Sequence, residues 1–176
     1  MSSVASKITT SSTAEYFSKN LQQVGFSSGT KAVLTTLKEA VDNSLDACED
    51  AGILPEISVE IEKLGPGTQK KMDQIRIKVT DNGPGIRNED VVKVYGEYLA
   101  SSKFGRGRCS RGQQGIGISA ATTWAQLTTA KGVNVCTKVK GKKQALQGSV
   151  EVDIKKNIGV IKNKKMISWD RPHGTS

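Results

Sequence analysis

The stretch from Thr30 to Asp50 constrains the fold more than any other part of the chain. Apolar residues at Val33, Leu34, Leu37, Val41, Leu45 and Cys48 recur in steps of three and four, which predicts an amphipathic helix. Ser28 or Thr30 can cap its start, and Gly52 followed by Pro55 ends it. Its polar side is as ordered as its apolar side. Glu39 and Asn43 are four apart, so they stack on one helix face, with Asp46 three residues further along the same strip. That strip gathers a proton acceptor and a hard-oxygen metal ligand, although any surface helix can carry such residues.

Around this helix the pattern alternates between helix and strand. Ala14 to Val24 predicts a short helix with Tyr16, Phe17, Leu21 and Val24 on its apolar side. After Pro55, Ile57, Val59 and Ile61 alternate with Ser58, Glu60 and Glu62. Beyond the Gly65-Pro66-Gly67 loop, Ile75, Ile77 and Val79 alternate with Arg76, Lys78 and Thr80. The two runs read as an antiparallel hairpin with one face on a core. The second run leads directly into Asp81-Asn82-Gly83-Pro84-Gly85, a turn whose glycines allow the backbone to approach a ligand. Asn88, Glu89 and Asp90 mark a helix start, with Val91, Val92, Val94, Tyr95 and Leu99 as its buried side. Ala100 to Arg111 is a basic Ser/Gly loop carrying Lys103, Arg106, Arg108 and Arg111. Glycines 112, 115 and 117 then open a helix through Trp124 and Leu127, an arrangement that can cradle phosphate at unpaired backbone N–H groups. It matches neither the dinucleotide nor the Walker fingerprint. Val133 to Ile161 reads as an antiparallel meander with a turn at Gly141-Lys142-Lys143.

Composition excludes several classes. A chain of 176 residues with 24% charged and 36% hydrophobic residues is about one domain with a real core. No apolar run approaches the ~20 residues that span a bilayer, and Met1 to Lys7 leads into Ser and Thr with no apolar signal region, so the chain is expected to stay where it is made, off the membrane. Cys48, Cys109 and Cys136 are too widely spaced, beside a single histidine, for a disulfide framework or a zinc site. The net charge of +9 is concentrated between Lys131 and Lys165, where ten lysines face two acids. Such a surface either binds a polyanion or keeps strand edges soluble.

In sequence order, the motifs form one signature. A helix with Glu39-x-x-x-Asn43, a strand ending Asp81-x-Gly83-x-Gly85, a basic loop closing on Gly115-Ile116-Gly117 before a helix, and the late Gly174-Thr175 resemble the gyrase, heat-shock chaperone, histidine kinase and MutL ATPase superfamily. The wording of Lys38 to Cys48, of Ser101-Ser102-Lys103-Phe104 and of Arg111 to Ser119 is most similar to the B subunits of DNA topoisomerase VI. The resemblance spans about Thr30 to Thr175. It implies an α+β two-layer sandwich of the Bergerat type, a mixed, mostly antiparallel sheet covered by helices on one face. It also implies an N-terminal arm over residues 1–16, a strap exchanged in a dimer, ahead of an ATP-binding domain over 17–176.

The resemblance further implies roles for particular residues. Glu39 is the expected general base toward a water at the γ-phosphate, and Asn43 the expected Mg2+ ligand. Asp81 accepts from the adenine amino group, Gly85 lets the base lie close, and Thr175 steadies Asp81, with a water. Ser102, Lys103, Gly112, Gln113, Gln114, Gly115, Ile116 and Gly117 surround the phosphates. ATP and Mg2+ are the expected cofactors. The expected partners are the topoisomerase VI A subunit, a second B subunit joined on ATP binding, and double-stranded DNA. The expected place is the cytoplasm beside an archaeal-type nucleoid, or the nucleus of a eukaryote. The alternative within the same superfamily is a non-hydrolysing ATP-switched dimerisation module or a partial gene product. The stop at Ser176 reads as truncation before a transducer domain whose lysine reaches the γ-phosphate, so slow hydrolysis is expected of residues 1–176.

Overall fold

The computed structural model of the chain describes residues 10–67, 72–100 and 115–176. In order, the elements are α1 (Thr13–Lys19), a 3-10 turn (Leu21–Val24), α2 (Gly29–Asp50), β1 (Ile57–Pro66), β2 (Asp73–Asp81), α3 (Val91–Gly96), α4 (Gly117–Thr129), β3 (Val133–Lys138), β4 (Ala145–Asp153), β5 (Ile158–Ile167) and β6 (Gly174–Thr175). Ser28 caps α2, its side chain accepting from the Lys31 N–H at 3.3 Å.

β1 and β2 form one hairpin, and β5-β4-β3-β6 form a four-stranded sheet. Every pairing among the described residues is antiparallel. β6 connects the two: Ser176 Oγ lies 2.9 Å from Thr80 Oγ1 on β2, and the Thr175 N–H donates to the Asp81 carboxylate. The helices lie on one face of the larger sheet, as the two-layer expectation requires. Leu146 and Val150 on β4 pack with Val135, Val91 of α3 and, less deeply, Tyr95. Val152, on the same face two residues further, packs with Ala120 and Ala121 of α4, Ala32 of α2 and Ala14 of α1. Gln126 fixes α4 to that strand, donating to the Val152 carbonyl at 3.2 Å and accepting its N–H at 2.9 Å. Phe26, packed 5.9 Å from the Trp124 ring, is 2% exposed, and burial of such a side chain contributes about 1.5–3 kcal/mol.

Several expectations change. The helix expected over Ala14–Val24 breaks at Asn20, whose side chain folds back onto the Tyr16 carbonyl. Residues 13–16, assigned from sequence both to the end of an arm and, from Ala14, to a helix, are the first part of α1, with Ala14 fully buried and Phe17 stacked on Tyr98 at 5.2 Å. The apolar stripe of α2 is shallower than its period suggests: Leu34 is exposed, and the buried positions are Ala32, Ser44, Asp46 and Cys48. The β1–β2 hairpin extends beyond the core, leaving Val59, Ile61 and Ile75 exposed on its apolar face. Leu99, expected on the buried side of α3, is exposed at φ 63, because α3 ends at Gly96. Gly174–Thr175, where no strand was expected, pairs with β3.

Candidate functional site

α2 and β2 meet at Asp81, which ends β2 and is 7% exposed. The Gly83 N–H donates to Oδ1 at 2.8 Å, and the Thr175 N–H donates to the same oxygen at 3.1 Å. Ser44 of α2 donates its hydroxyl to Oδ2 at 3.1 Å. Burial pushes the Asp81 carboxyl above the ordinary carboxylate range; these three hydrogen bonds and the charge of Arg171 pull the other way. A carboxylate offers about four lone-pair sites. Oδ1 uses two on backbone donors, whereas Oδ2 retains acceptor capacity in the cleft that Asp81 lines.

The turn after Asp81 is held from three sides. His173 Nδ1 lies 2.7 Å from the Gly83 carbonyl; a carbonyl only accepts, so the imidazole donates from Nδ1–H. Asn82 donates to the Leu54 carbonyl at 3.1 Å and accepts the Glu56 N–H at 2.8 Å, tying the turn to the segment after α2. Gly85 has φ 78, and a Cβ there would collide with the Lys138 carbonyl of β3. This position therefore demands glycine on two counts, conformation and close approach. Lys138 Nζ in turn donates to the carbonyls of Trp169 and Arg171 at 3.2 and 2.9 Å, securing the segment that carries His173.

Glu39 marks the other end of the cleft. Its partly exposed carboxylate lies against the first residue of α4, so that a Cβ on Gly117 would overlap Oε2. Its one ion pair among the described residues is a 3.7 Å contact with Lys38, whose amine sits closer to Asp42, at 2.8 Å. The α4 N-cap is Ile116, which supplies no side-chain cap, and a helix start of this kind presents backbone N–H groups that favour an anion. Leu99 and Gly115 are hydrogen-bonded, N–H to carbonyl, at 2.9 Å.

Glu39, Asn43, Asp81, Gly85, Gly115, Ile116, Gly117 and Thr175 are among the many residues that line one broad, open depression. These are all the sequence-derived site residues that fall within the described chain; Ser102, Lys103, Gly112, Gln113 and Gln114 lie outside it. Within the depression α2 meets Asp81 through Ser44, beside Asn43, and meets Gly117 through Glu39. Asp46, grouped with Glu39 and Asn43 by spacing, is buried in the structure. Thr175 meets Asp81 directly through its backbone N–H, while its hydroxyl lies 3.0 Å from that of Thr137. Ser44, Thr137, Lys138 and His173 were not singled out from sequence. Ser44 follows Asn43 and His173 is the sole histidine, which are usable signals; Thr137 and Lys138 have none, being ordinary strand residues.

An adenine nucleotide fits this donor and acceptor set: a buried acceptor at one end, an uncapped helix N-terminus and a carboxylate at the other. No cluster of three His, Cys, Asp or Glu able to hold a metal occurs among the described residues. No described helix is long and apolar enough to cross a membrane.

Comparison with known proteins identifies the class. The profile of the family described as histidine kinase-, DNA gyrase B-, and HSP90-like ATPase matches residues 29–161, and the chain belongs to that family. Within it, the chain is 46% identical over 164 residues to the B subunit of type 2 DNA topoisomerase 6 from Natronomonas pharaonis, covering 93% of this chain and 20% of that protein. The protein of the same name from Archaeoglobus fulgidus is 47% identical over 164 residues, covering 93% and 26% respectively. That from Methanosarcina mazei is 42% identical over 172 residues, covering 98% and 27%. The chain thus spans about a fifth to a quarter of the length of these relatives.

Proposed function

We propose that this chain is the ATP-binding and ATP-hydrolysing domain of a type II DNA topoisomerase B subunit of the topoisomerase VI kind. The observation that carries the reading is that α2 joins two ends of a site: Ser44 hydrogen-bonds the buried Asp81 carboxylate, and Glu39 lies against Gly117 at the start of α4. Asp81 Oδ2 accepts from an exocyclic amino group, which adenine has and guanine replaces with a carbonyl at that ring position. The N–H groups of Gly117 and its neighbours hold phosphate oxygens, and Gly115 leaves room for their approach. Ser102, Lys103, Gly112, Gln113 and Gln114 are assigned to the same phosphates.

Glu39 acts as the base that takes a proton from a water positioned at the terminal phosphate. Asn43, one helical turn along the same face, supplies an amide oxygen to Mg2+. That ion favours phosphate oxygens and waters over an all-protein cage, so the bound nucleotide and waters would complete its shell around Asn43. Bound nucleotide supplies the reactive phosphoanhydride; this chain supplies orientation, a base and donors. In the whole protein the reading assigns ATP-dependent pairing with a second B subunit, association with an A subunit, and passage of duplex DNA, in the cytoplasm. Exposed lysines between Lys131 and Lys165, Lys142 and Lys143 among them, are available to DNA phosphates.

The test is Glu39→Gln, assayed for ATP binding by calorimetry and, in a full-length protein that carries this domain, for phosphate release. The reading expects binding within about threefold of the unaltered chain and phosphate release lowered by about 100-fold or more, in line with removal of a general base. Loss of binding in the variant would make Glu39 a structural residue. Binding without phosphate release in a full-length protein that carries this domain would favour a non-hydrolysing ATP switch.

A further inference from the structure

Thr137, near the end of β3, is 1% exposed and carries a hydroxyl that the nucleotide reading leaves without a role. Its Oγ1 meets three groups. The Ile86 N–H donates to it at 2.9 Å, the Gly174 carbonyl lies at 3.1 Å, and the Thr175 hydroxyl lies at 3.0 Å. A threonine hydroxyl has one proton and two lone pairs. The arrangement uses all of them: Thr137 donates to Gly174, accepts from Ile86, and accepts from Thr175. The groups it joins are those that shape the Asp81 end of the cleft. Ile86 follows Gly85, whose backbone packs on Lys138 next door, and Thr175 donates its own N–H to Asp81.

We propose that Thr137 is a positioning residue for base recognition. It holds the Gly85-Ile86 turn and the Gly174-Thr175 strand in one register, and so keeps the Asp81 carboxylate aimed into the cleft without touching the base. The proposal rests on the ATP reading of the cleft. Valine matches threonine in shape but has neither donor nor acceptor, so Thr137→Val takes a partner from the half-buried Ile86 N–H and from the buried Gly174 carbonyl. Thr137→Ser restores the hydroxyl.

The experiment measures ATP and GTP dissociation constants for the 176-residue chain and for Thr137→Val, Thr137→Ser and Asp81→Asn, by displacement of a fluorescent nucleotide. Thr137→Val is expected to weaken ATP about tenfold or more while GTP changes by less than about threefold, so the preference for ATP collapses. Thr137→Ser is expected to keep that preference. If Thr137→Val keeps the unaltered ratio, whether both affinities stay or both fall together, Thr137 serves the fold alone and the proposal is overturned. Should the valine variant not fold, Thr137→Cys offers a weaker hydrogen-bonding group of similar size; a partial fall in the ratio supports the proposal and an unchanged ratio overturns it. If the unaltered chain shows no preference for ATP, or Asp81→Asn keeps that preference, the ATP reading fails and takes this proposal with it. If Asp81→Asn loses the preference and Thr137→Val keeps it, only the role of Thr137 fails.

Discussion

At the scale of single residues, Asp81 is held under opposed demands. Burial disfavours its charge, while two backbone N–H groups and the Ser44 hydroxyl favour it, and burial prevails in direction. Because the folded pKa is raised, the stability this carboxyl contributes is fully present below the ordinary carboxylate range and is lost as pH rises through the folded value. Ionisation of Asp81 therefore costs the fold stability. It follows that Asp81→Asn melts no lower than the unaltered chain at pH 7, with the difference shrinking as both are taken toward pH 4; thermal melts across that range check it. Ligand binding runs oppositely. ATP affinity should fall as pH falls through the raised pKa, since a protonated carboxyl loses acceptor strength, and the Asp81→Asn variant should lack that part of the pH profile. Gly117 gives a second, steric test. Alanine is favoured over glycine in helices by about 1 kcal/mol, yet its Cβ would overlap the Glu39 carboxylate, and overpacking costs about 1–3 kcal/mol. Gly117→Ala should accordingly leave Tm unchanged or lower and displace Glu39, with phosphate release reduced more than nucleotide binding.

At the scale of elements, the site is made where α2 meets two segments at glycines: the Glu39 side chain lies against Gly117 at the start of α4, and the Ala47 and Cys48 side chains lie against Gly83 in the Asp81–Gly85 turn. Gly85→Ala should destabilise the chain by about 1–3 kcal/mol, because a positive φ and contact with the Lys138 carbonyl act together. Chemical denaturation would measure this, and an unchanged midpoint would mean that β3 can move away from the turn. These elements differ in how far the sequence revealed them. The start and end of α2 were legible because Ser28, Gly52 and Pro55 act locally, and the β3–β5 meander was legible because its alternation is nearly unbroken. The depth of burial was not legible. Periodicity reports which residues share a face, not whether another layer reaches that face, so Leu34 and the outer half of the β1–β2 hairpin were placed on a core that does not extend to them. Three surface ion pairs flank that hairpin, Glu60–Lys78, Glu62–Arg76 and Lys63–Asp73, each worth only about 0–1 kcal/mol. β6 was illegible for another reason. Two residues carry no period, and their pairing with β3 depends on Thr137, 38 positions earlier than Thr175.

At the scale of the whole molecule, Glu39 and Asp81 were nominated as parts of one ordered signature, and the folded chain lines a single cleft with both. What the signature omitted is the support behind them, Ser44, Thr137, Lys138 and His173, whose hydrogen bonds exist only once distant segments meet. The lysines belong to this scale too. Lys142 and Lys143 sit exposed in the β3–β4 turn. If they contact duplex DNA, replacing both with Ala should weaken binding and flatten its dependence on salt, lowering the logarithmic slope by about 1.8 for two phosphate contacts. Binding and slope that stay unchanged would leave those lysines as a soluble edge. The proposed function rests on selection of ATP through Asp81, and calorimetric titration of the unaltered chain and of Asp81→Asn with ATP and with GTP decides it. The predicted result is ATP bound at least about tenfold more tightly than GTP by the unaltered chain, and that preference lost in the variant with its Tm intact. Equal affinity for the two nucleotides, or a preference that survives Asp81→Asn, would contradict it.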